Sequence, residues 1–273
     1  MSSMAAWHVL RLLSHRSVLY TLCLISIVAL VSWFAVQWLH VTAMSEAHRS
    51  FEQGNYPTAI QFAERYLSEH PSDQGAMLLL ARSYGQMGRW AEAEAYFGQV
   101  PLRKLDDFHL RARGLVARRL WAEAAMVYEQ ILQTWPMDGR ALEQLSRIRI
   151  QQERDEEARV LARRLIGIPS YEVAGHLILG TIEYHHNSYP RAVESLEEVV
   201  RRSPDLKSIP GDATTVLEML AESLLVLGRA GEAEVYALRA RDLSQSAESC
   251  WLLGMARQHQ GDPDGARQYW EET

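Results

Sequence analysis

The chain has 273 residues and a formal net charge of −6 at pH 7. Its first acidic residue is Glu46, and residues 41–273 contain 26 basic and 34 acidic side chains, a net charge of −8. This balance argues against general nucleic-acid binding, which requires a strongly basic face. The two cysteines, Cys23 and Cys250, are too few for a disulfide framework.

Residues 18–39 form an apolar segment without a charged side chain. A helix of about 20 apolar residues crosses the hydrocarbon core of a bilayer. We therefore predict a transmembrane signal-anchor helix over 18–39, preceded by a flank of residues 1–17. Arg11 and Arg16 lie before the segment, and positive charge marks the cytoplasmic side of a span. We expect a single-pass membrane protein whose remaining residues lie on the non-cytoplasmic side, periplasmic or extracellular.

A cleaved signal peptide is the alternative interpretation of the same segment. Val41, Thr42 and Ala43 provide a small-residue cleavage site after it. The apolar run is longer than the ~7–15 residues of a signal-peptide core. We favour a retained anchor, and the sequence leaves cleavage open.

Residues 41–273 contain a motif that recurs seven times. Each copy has an alanine, and the alanines follow one another at spacings of 34, 31, 34, 34, 41 and 33 residues. These alanines are Ala59, Ala93, Ala124, Ala158, Ala192, Ala233 and Ala266. A small residue precedes each by twelve positions, namely Ala47, Ala81, Ala112, Ser146, Gly180, Ala221 and Gly254. A turn position precedes each by five, namely Gly54, Gly88, Arg119, Glu153, Asn187, Gly228 and Gly261. Such self-similarity predicts a repeat array.

One copy of the motif reads as a helical hairpin. In residues 74–101, apolar side chains recur at helical spacing on both sides of Gly88. Two helices that cross closely need small side chains at the crossing, and Ala81 and Ala93 supply them. The third copy arrives early, so we predict a tight connector over 101–107. The sixth arrives late, which predicts a longer loop over 205–211.

The pattern resembles the tetratricopeptide repeat (TPR) over residues 41–273. In the first copy the matching residues are Ala47, Gly54, Tyr56, Ala59 and Pro71. In the second they are Leu80, Ala81, Tyr84, Gly88, Trp90, Ala93 and Phe97, and in the fifth Leu179, Gly180, Tyr189, Ala192 and Pro204. The resemblance implies an all-α protein: a right-handed α-solenoid of about seven helical hairpins after the transmembrane helix. It also implies a non-catalytic scaffold that binds protein or peptide partners in a concave groove.

The resemblance places groove-lining residues six positions before each turn. Arginine stands there in three consecutive copies, as Arg82, Arg113 and Arg147. The other predicted lining residues are Leu78, His109, Arg140, Leu177, Tyr184 and Trp251. A row of guanidinium groups suits an acidic peptide or a free C-terminal carboxylate. Because no linker separates His40 from Glu46, we expect a membrane-proximal partner. The alternative is that the arginines pair with neighbouring carboxylates of the array itself.

The sequence contains no phosphate-binding loop, CxxC or HExxH motif. Glu183, His185 and His186 come closest to a metal cluster, and we interpret them as a solvated turn. We therefore predict no metal, no cofactor and no catalysis; a metal-dependent enzyme is the less favoured alternative.

Two binding hypotheses follow. In the first, a membrane-anchored scaffold tethers or assembles a complex through its groove. In the second, a non-catalytic subunit of an envelope-biogenesis or secretion complex docks through the ends of the array. Trp251 and Trp270 are its candidate contacts, and self-association through this end is a further expectation.

Overall fold

The structure is a computed structural model that describes residues 26–32, 43–206, 209 and 212–271. These residues are helical or lie in the connections between helices, and they include no β-strand. The chain divides into two compact units, Met1–Arg118 and Arg119–Thr273.

The predicted transmembrane segment lies mostly outside the described residues. Of positions 18–39 the structure describes only 26–32, which are helical and exposed. Within the described ranges, no helix is both long enough and apolar enough to cross a bilayer. The anchor over 18–39 and the flank over 1–17 stay predictions.

The first unit consists of short helices that pack in chain order. They are α1 (residues 43–52), α2 (Tyr56–Glu69), α3 (Gln74–Gln86), α4 (Trp90–Phe97) and α5 (Leu105–Ala117). Each of α3, α4 and α5 contacts the helix before it, and α3 also contacts α5. The core of this unit includes Leu79, Leu80 and Phe97, which are almost fully buried.

The second unit continues the same pattern over nine described helices. They are α6 (Trp121–Thr134), α7 (Gly139–Gln151), α8 (Asp155–Ile166), α9 (Glu172–His185), α10 (Tyr189–Arg202), α11 (Ala213–Val226), α12 (Ala230–Leu243), α13 (Ala247–His259) and α14 (Pro263–Glu271), with a 3-10 turn over Pro169–Tyr171. Consecutive helices pack on each other. The helices α7, α9, α11 and α13 also contact one another in sequence, so they form one layer of this unit.

The small positions of the motif are confirmed as helix-crossing positions. All seven alanines and all seven residues twelve positions before them are buried. Gly180 shows why the position must be small, because a Cβ atom there would lie 2.6 Å from Cδ2 of Leu196. At Gly254 it would lie 1.9 Å from the indole nitrogen of Trp270. The spacing of small residues in the sequence is thus set by the close approach of two helices in each hairpin.

The turn positions are confirmed by their backbone conformation. All seven have a positive φ between 57° and 83°, which is the left-handed region that ends many helices. After Glu153, the backbone amide of Arg154 donates to the carbonyl of Arg149 at 2.8 Å. This bond gives a carbonyl in the last turn of α7 a hydrogen-bond donor from outside the helix. Arg119, Glu153 and Asn187 adopt this conformation without the freedom of glycine.

The predicted connector over 101–107 is shorter than expected. Helix α5 begins at Leu105, so Asp107 lies inside its first turn instead of in the connector. Two acidic side chains there, Asp106 and Asp107, favour a helix start because they face the positive end of the helix dipole. The predicted longer loop corresponds to the interval between Arg202 and Ala213, of which residues 207, 208, 210 and 211 lie outside the described ranges.

Candidate functional site

In the first unit, Arg82 is held by a carboxylate of the same unit. Its Nε and Nη2 atoms donate to the two carboxylate oxygens of Asp107 at 2.6 and 2.7 Å. Asp107 is 3 % exposed, and the pair joins α3 to α5. Two parallel charge-assisted hydrogen bonds are the strongest way to hold a guanidinium group. An acidic ligand would have to compete with this internal partner.

Arg113 is also engaged within the first unit. Its guanidinium carbon lies 5.2 Å from the centre of the Trp90 ring, a cation–π distance. His109 is buried at 5 % exposure, and Leu78 is half-buried. The structure therefore places the predicted groove residues of this unit among internal contacts.

In the second unit, the layer formed by α7, α9, α11 and α13 contains a concave cavity of about 470 Å³, which we call the second-unit groove. Its lining includes the predicted residues Arg147, Leu177 and Tyr184. Apolar and nearly buried side chains form part of it, namely Leu177, Ile178, Val216 and Met219. An apolar surface of this kind, open to solvent, suits an extended chain or a helix of another protein.

Acidic side chains line one side of the second-unit groove. Glu218 and Glu222 lie one helical turn apart on α11, and Glu248 lies in the first turn of α13. We call these three residues the acidic wall. The Ser246 hydroxyl donates to Glu218 at 2.5 Å, and the Tyr184 hydroxyl donates to Glu222. Burial, and then the hydrogen bond to Glu222, raises the pKa of Tyr184.

The charges of the acidic wall act on one another. Although Glu248 is exposed as a residue, partial desolvation of its carboxyl group, followed by the negative charges of Glu218 and Glu222, raises its pKa. No arginine or lysine among the described residues forms an ion pair with any of the three carboxylates. The register of the repeat places Glu222 in the groove, because it lies six positions before the turn at Gly228. Glu218 was detectable as well, because residues four apart share one face of a helix.

The remaining predicted groove residues of the second unit are exposed. Arg147 lines the groove, and its Nη2 atom is 3.0 Å from Glu143 on the same helix. Arg140 is exposed. Trp251 is 44 % exposed, and its carbonyl accepts a hydrogen bond from the Trp270 indole at 3.4 Å.

The residues that came closest to a metal cluster have separate partners. The prediction of a solvated turn is wrong for Glu183, which is buried. Its carboxylate is paired with Arg159, whose Nε atom lies at 3.0 Å. His186 pairs with Asp155 at 2.6 Å, and the His185 ring packs against Tyr184. Over the described ranges no cluster of three or more His, Cys, Asp or Glu side chains has a geometry suited to a metal ion.

Arg149 is an internal cation that sequence reasoning missed. It is 4 % exposed and donates to Glu129 of α6, while its Nε atom lies 3.0 Å from Glu157 of α8. The residue therefore joins three consecutive helices. Its helical register separates it from the exposed Arg147, because Arg149 lies four positions after Leu145 and seven after Leu142, on the buried face of α7.

Comparison with known proteins identifies the repeat. Two models of the tetratricopeptide repeat match the chain, one over residues 50–119 and the other over 109–173 and 179–248. Together with the hairpins and turns described above, these matches show that the chain belongs to the tetratricopeptide repeat family. Repeats of this family are modules for protein–protein interaction. No curated protein matches the chain in sequence.

Solved structures show the same fold at low sequence identity. A tetratricopeptide repeat protein from Parabacteroides merdae superposes with a TM-score of 0.58 at 14% identity, covering 86% of this chain and 92% of its own. A crystal structure of MamA superposes with a TM-score of 0.52 at 13% identity, covering 63% of this chain and 94% of its own. At these identities the likeness concerns the fold alone.

Proposed function

We propose that this TPR protein is a membrane-anchored scaffold that binds a protein partner in the second-unit groove and holds a complex at the membrane. One observation carries the proposal: four consecutive first helices form a concave surface in which apolar side chains lie beside the three carboxylates of the acidic wall, and no described arginine or lysine forms an ion pair with these carboxylates. A surface of this composition suits recognition by binding without turnover. Anchoring by residues 18–39, with the repeats on the non-cytoplasmic side, is part of the proposal and is supported by the sequence alone.

Site-specific photo-cross-linking of the full chain in its native membrane tests the groove. A photoreactive amino acid at Thr215, an exposed groove-lining residue, is expected to capture a partner protein. The matched control is Val235 on α12, which is 55 % exposed and lies outside the groove lining. Equal capture at the two positions, or none at Thr215, would contradict binding in the groove.

The anchor needs a separate test. The full chain is expected to stay with membranes during alkaline extraction, and its repeats are expected to be cleaved only by protease on the non-cytoplasmic face of sealed vesicles. Release by alkali would contradict the anchor. Cleavage from the cytoplasmic face would contradict the orientation.

The second candidate, a non-catalytic complex subunit that docks through one end of the array, has its own supporting observation. Trp251 and Trp270 are 44 % and 38 % exposed on the last two helices. Large aromatic side chains exposed together are enriched in protein interfaces. Under this candidate, a photoreactive residue at Trp270 captures the partner or a second copy of the chain, and one at Thr215 does not.

The contacts of the three arginines weaken the case for an acidic partner. Arg82 is neutralised by Asp107, Arg147 lies beside Glu143, and Arg113 stacks on an indole ring. For Arg82 and Arg147 this agrees with the alternative in which the arginines pair with carboxylates of the array itself, whereas the contact described for Arg113 is with an aromatic ring. An acidic partner stays a prediction of the sequence.

A further inference from the structure

We propose that the second-unit groove selects a cationic segment of its partner: an extended peptide whose lysine or arginine side chains meet the acidic wall while its apolar side chains contact the groove. The inference rests on the proposed function and names the chemistry of the partner. It reverses the charge expected from the arginine row.

The balance of charge in the groove is the first argument. Four carboxylates line it, from Asp212, Glu218, Glu222 and Glu248, against two basic side chains, Arg147 and His185. Asp212 is occupied, because it caps α11 by accepting from the Thr214 amide at 3.0 Å. Arg147 is occupied by Glu143. What remains for a ligand is the negative charge of the acidic wall.

The hydrogen bonds of the acidic wall are the second argument. Glu218 accepts from a serine hydroxyl and Glu222 from a tyrosine hydroxyl, both neutral donors. These bonds orient the two carboxylates without cancelling their charges. A carboxylate oriented in this way retains lone pairs that an ammonium or guanidinium group can use.

Crowding of like charge is the third argument. Glu248 lies close enough to Glu218 and Glu222 that their negative charges add to burial in raising its pKa. A cation placed among the three carboxylates would replace this repulsion with attraction. An anionic ligand would increase the repulsion, so the wall also rejects partners of the wrong charge.

The shape of the groove selects a peptide over a small cation. Beside the wall lie Leu177, Ile178, Val216 and Met219, each less than a tenth exposed. A free polyamine offers only the methylene groups between its ammonium groups to these side chains, and it has no branched or aromatic group to fill the cavity. A peptide segment that alternates cationic and apolar residues fits both parts of the groove at once.

Fluorescence anisotropy with the full chain and defined peptides tests the inference. The probes are labelled peptides of about ten residues with lysine at every second position among apolar residues, and matched peptides with glutamate or glutamine instead. The groove variant is Glu218→Gln, Glu222→Gln and Glu248→Gln together. The control variant is Glu123→Gln, Glu194→Gln and Asp264→Asn together, which removes the same charge from exposed positions outside the groove. Circular dichroism establishes that both variants fold.

We expect the lysine peptide to bind the wild type and to lose at least about tenfold in affinity for the groove variant, with the control variant unchanged. Binding is also expected to weaken as salt is raised. Equal affinity for the lysine and glutamate peptides, no loss in the groove variant, or no binding of any peptide would overturn the inference.

The glutamine peptide and the cross-linking experiment separate two kinds of failure. If the glutamine peptide binds as tightly as the lysine peptide, the cationic preference is wrong and the groove remains a peptide site. If Thr215 also captures no partner in membranes, the proposed function fails as well.

Discussion

The guanidinium of Arg82 on α3 donates two hydrogen bonds to the carboxylate of Asp107 on α5. The pair thus joins neighbouring repeats of the first unit. The pair is partly shielded, with side-chain exposures of 24% for Arg82 and 4% for Asp107. A cation that the repeat register places in a ligand groove is therefore part of the internal packing. The charges that can attract a ligand are those without such an internal partner.

The Arg82–Asp107 pair is expected to stabilise the first unit. Asp107→Asn should lower the free energy of unfolding by about 2 kcal/mol, because it leaves the guanidinium of Arg82 without its charged acceptor. Urea denaturation of Asp107→Asn, Arg82→Gln and the double variant measures the coupling between them. Additive effects of the two substitutions would show that the pair contributes nothing beyond its separate parts.

Arg149 is expected to stabilise the second unit by joining α6, α7 and α8. Arg149→Met keeps the apolar stem and removes the contacts with Glu129 and Glu157, which should cost about 2 kcal/mol in the free energy of unfolding. The matched control is Arg147→Met on the same helix, since Arg147 is exposed and its ion pair with Glu143 lies within α7. Similar losses for the two variants would contradict a special role for Arg149.

Glu153 is expected to be replaceable by glycine with a gain in stability. Its φ of 58° is unfavourable for a side chain with a Cβ atom, and glycine adopts it freely. Glu153→Gly should therefore raise the free energy of unfolding by about 0.5–1 kcal/mol. The reverse change, Gly88→Ala, should lower it by about 1 kcal/mol, because an added Cβ there meets no atom within 4 Å and the cost is in the backbone alone.

The close approach of α9 and α10 makes Gly180 intolerant of substitution. Gly180→Ala should destabilise the second unit by about 1–3 kcal/mol, since the new Cβ atom would overlap Leu196. In the Leu196→Val background, which has a smaller side chain at the contact, Gly180→Ala should lower the free energy of unfolding by less than it does in the wild type. Thermal unfolding of the four proteins measures this, and an equal loss in both backgrounds would place the strain elsewhere.

The negative charge of Glu248 in the groove is expected to lower the free energy of unfolding at neutral pH. Its raised pKa means that its ionised form costs folding free energy at neutral pH, and that this cost disappears as pH falls through the raised pKa towards the ordinary value of 4.5. Glu248→Gln should therefore be slightly more stable than the wild type at pH 7, by less than about 1 kcal/mol because the residue is exposed. The difference should shrink near pH 4.5. If the stability difference between Glu248→Gln and the wild type does not change with pH, or if Glu194→Gln gives the same difference, the charges of the acidic wall do not destabilise the fold.

The fold was predictable because the hairpin imposes a fixed requirement at a fixed spacing. Ala81 and Ala93 must be small where two helices cross, and Gly88 must reverse the chain, so all three recur with the period of the repeat. Even Glu153, which departs from the usual residue type, was located by register. The number of hairpins and the placement of their turns follow from such positions.

The electrostatic character of the site was not predictable by the same means. Asp107 and Arg149 act through partners on other helices, and no repeat period relates a residue to such a partner. The interpretation of Arg82 as a free cation therefore rested on its position alone. Glu218, Glu222 and Glu248 converge only because α11 and α13 pack side by side, which brings residues 26 or more positions apart into one wall.

Hydrogen exchange of the full chain, measured with and without the partner captured at Thr215, tests the central claim most directly. Binding in the second-unit groove predicts slower exchange in α9, α11 and the first turn of α13, around Leu177, Glu222 and Glu248, with α14 unchanged. Slower exchange confined to α14 and to α13 around Trp251, with α9 and α11 unchanged, would contradict the claim and place the partner on the exposed tryptophans.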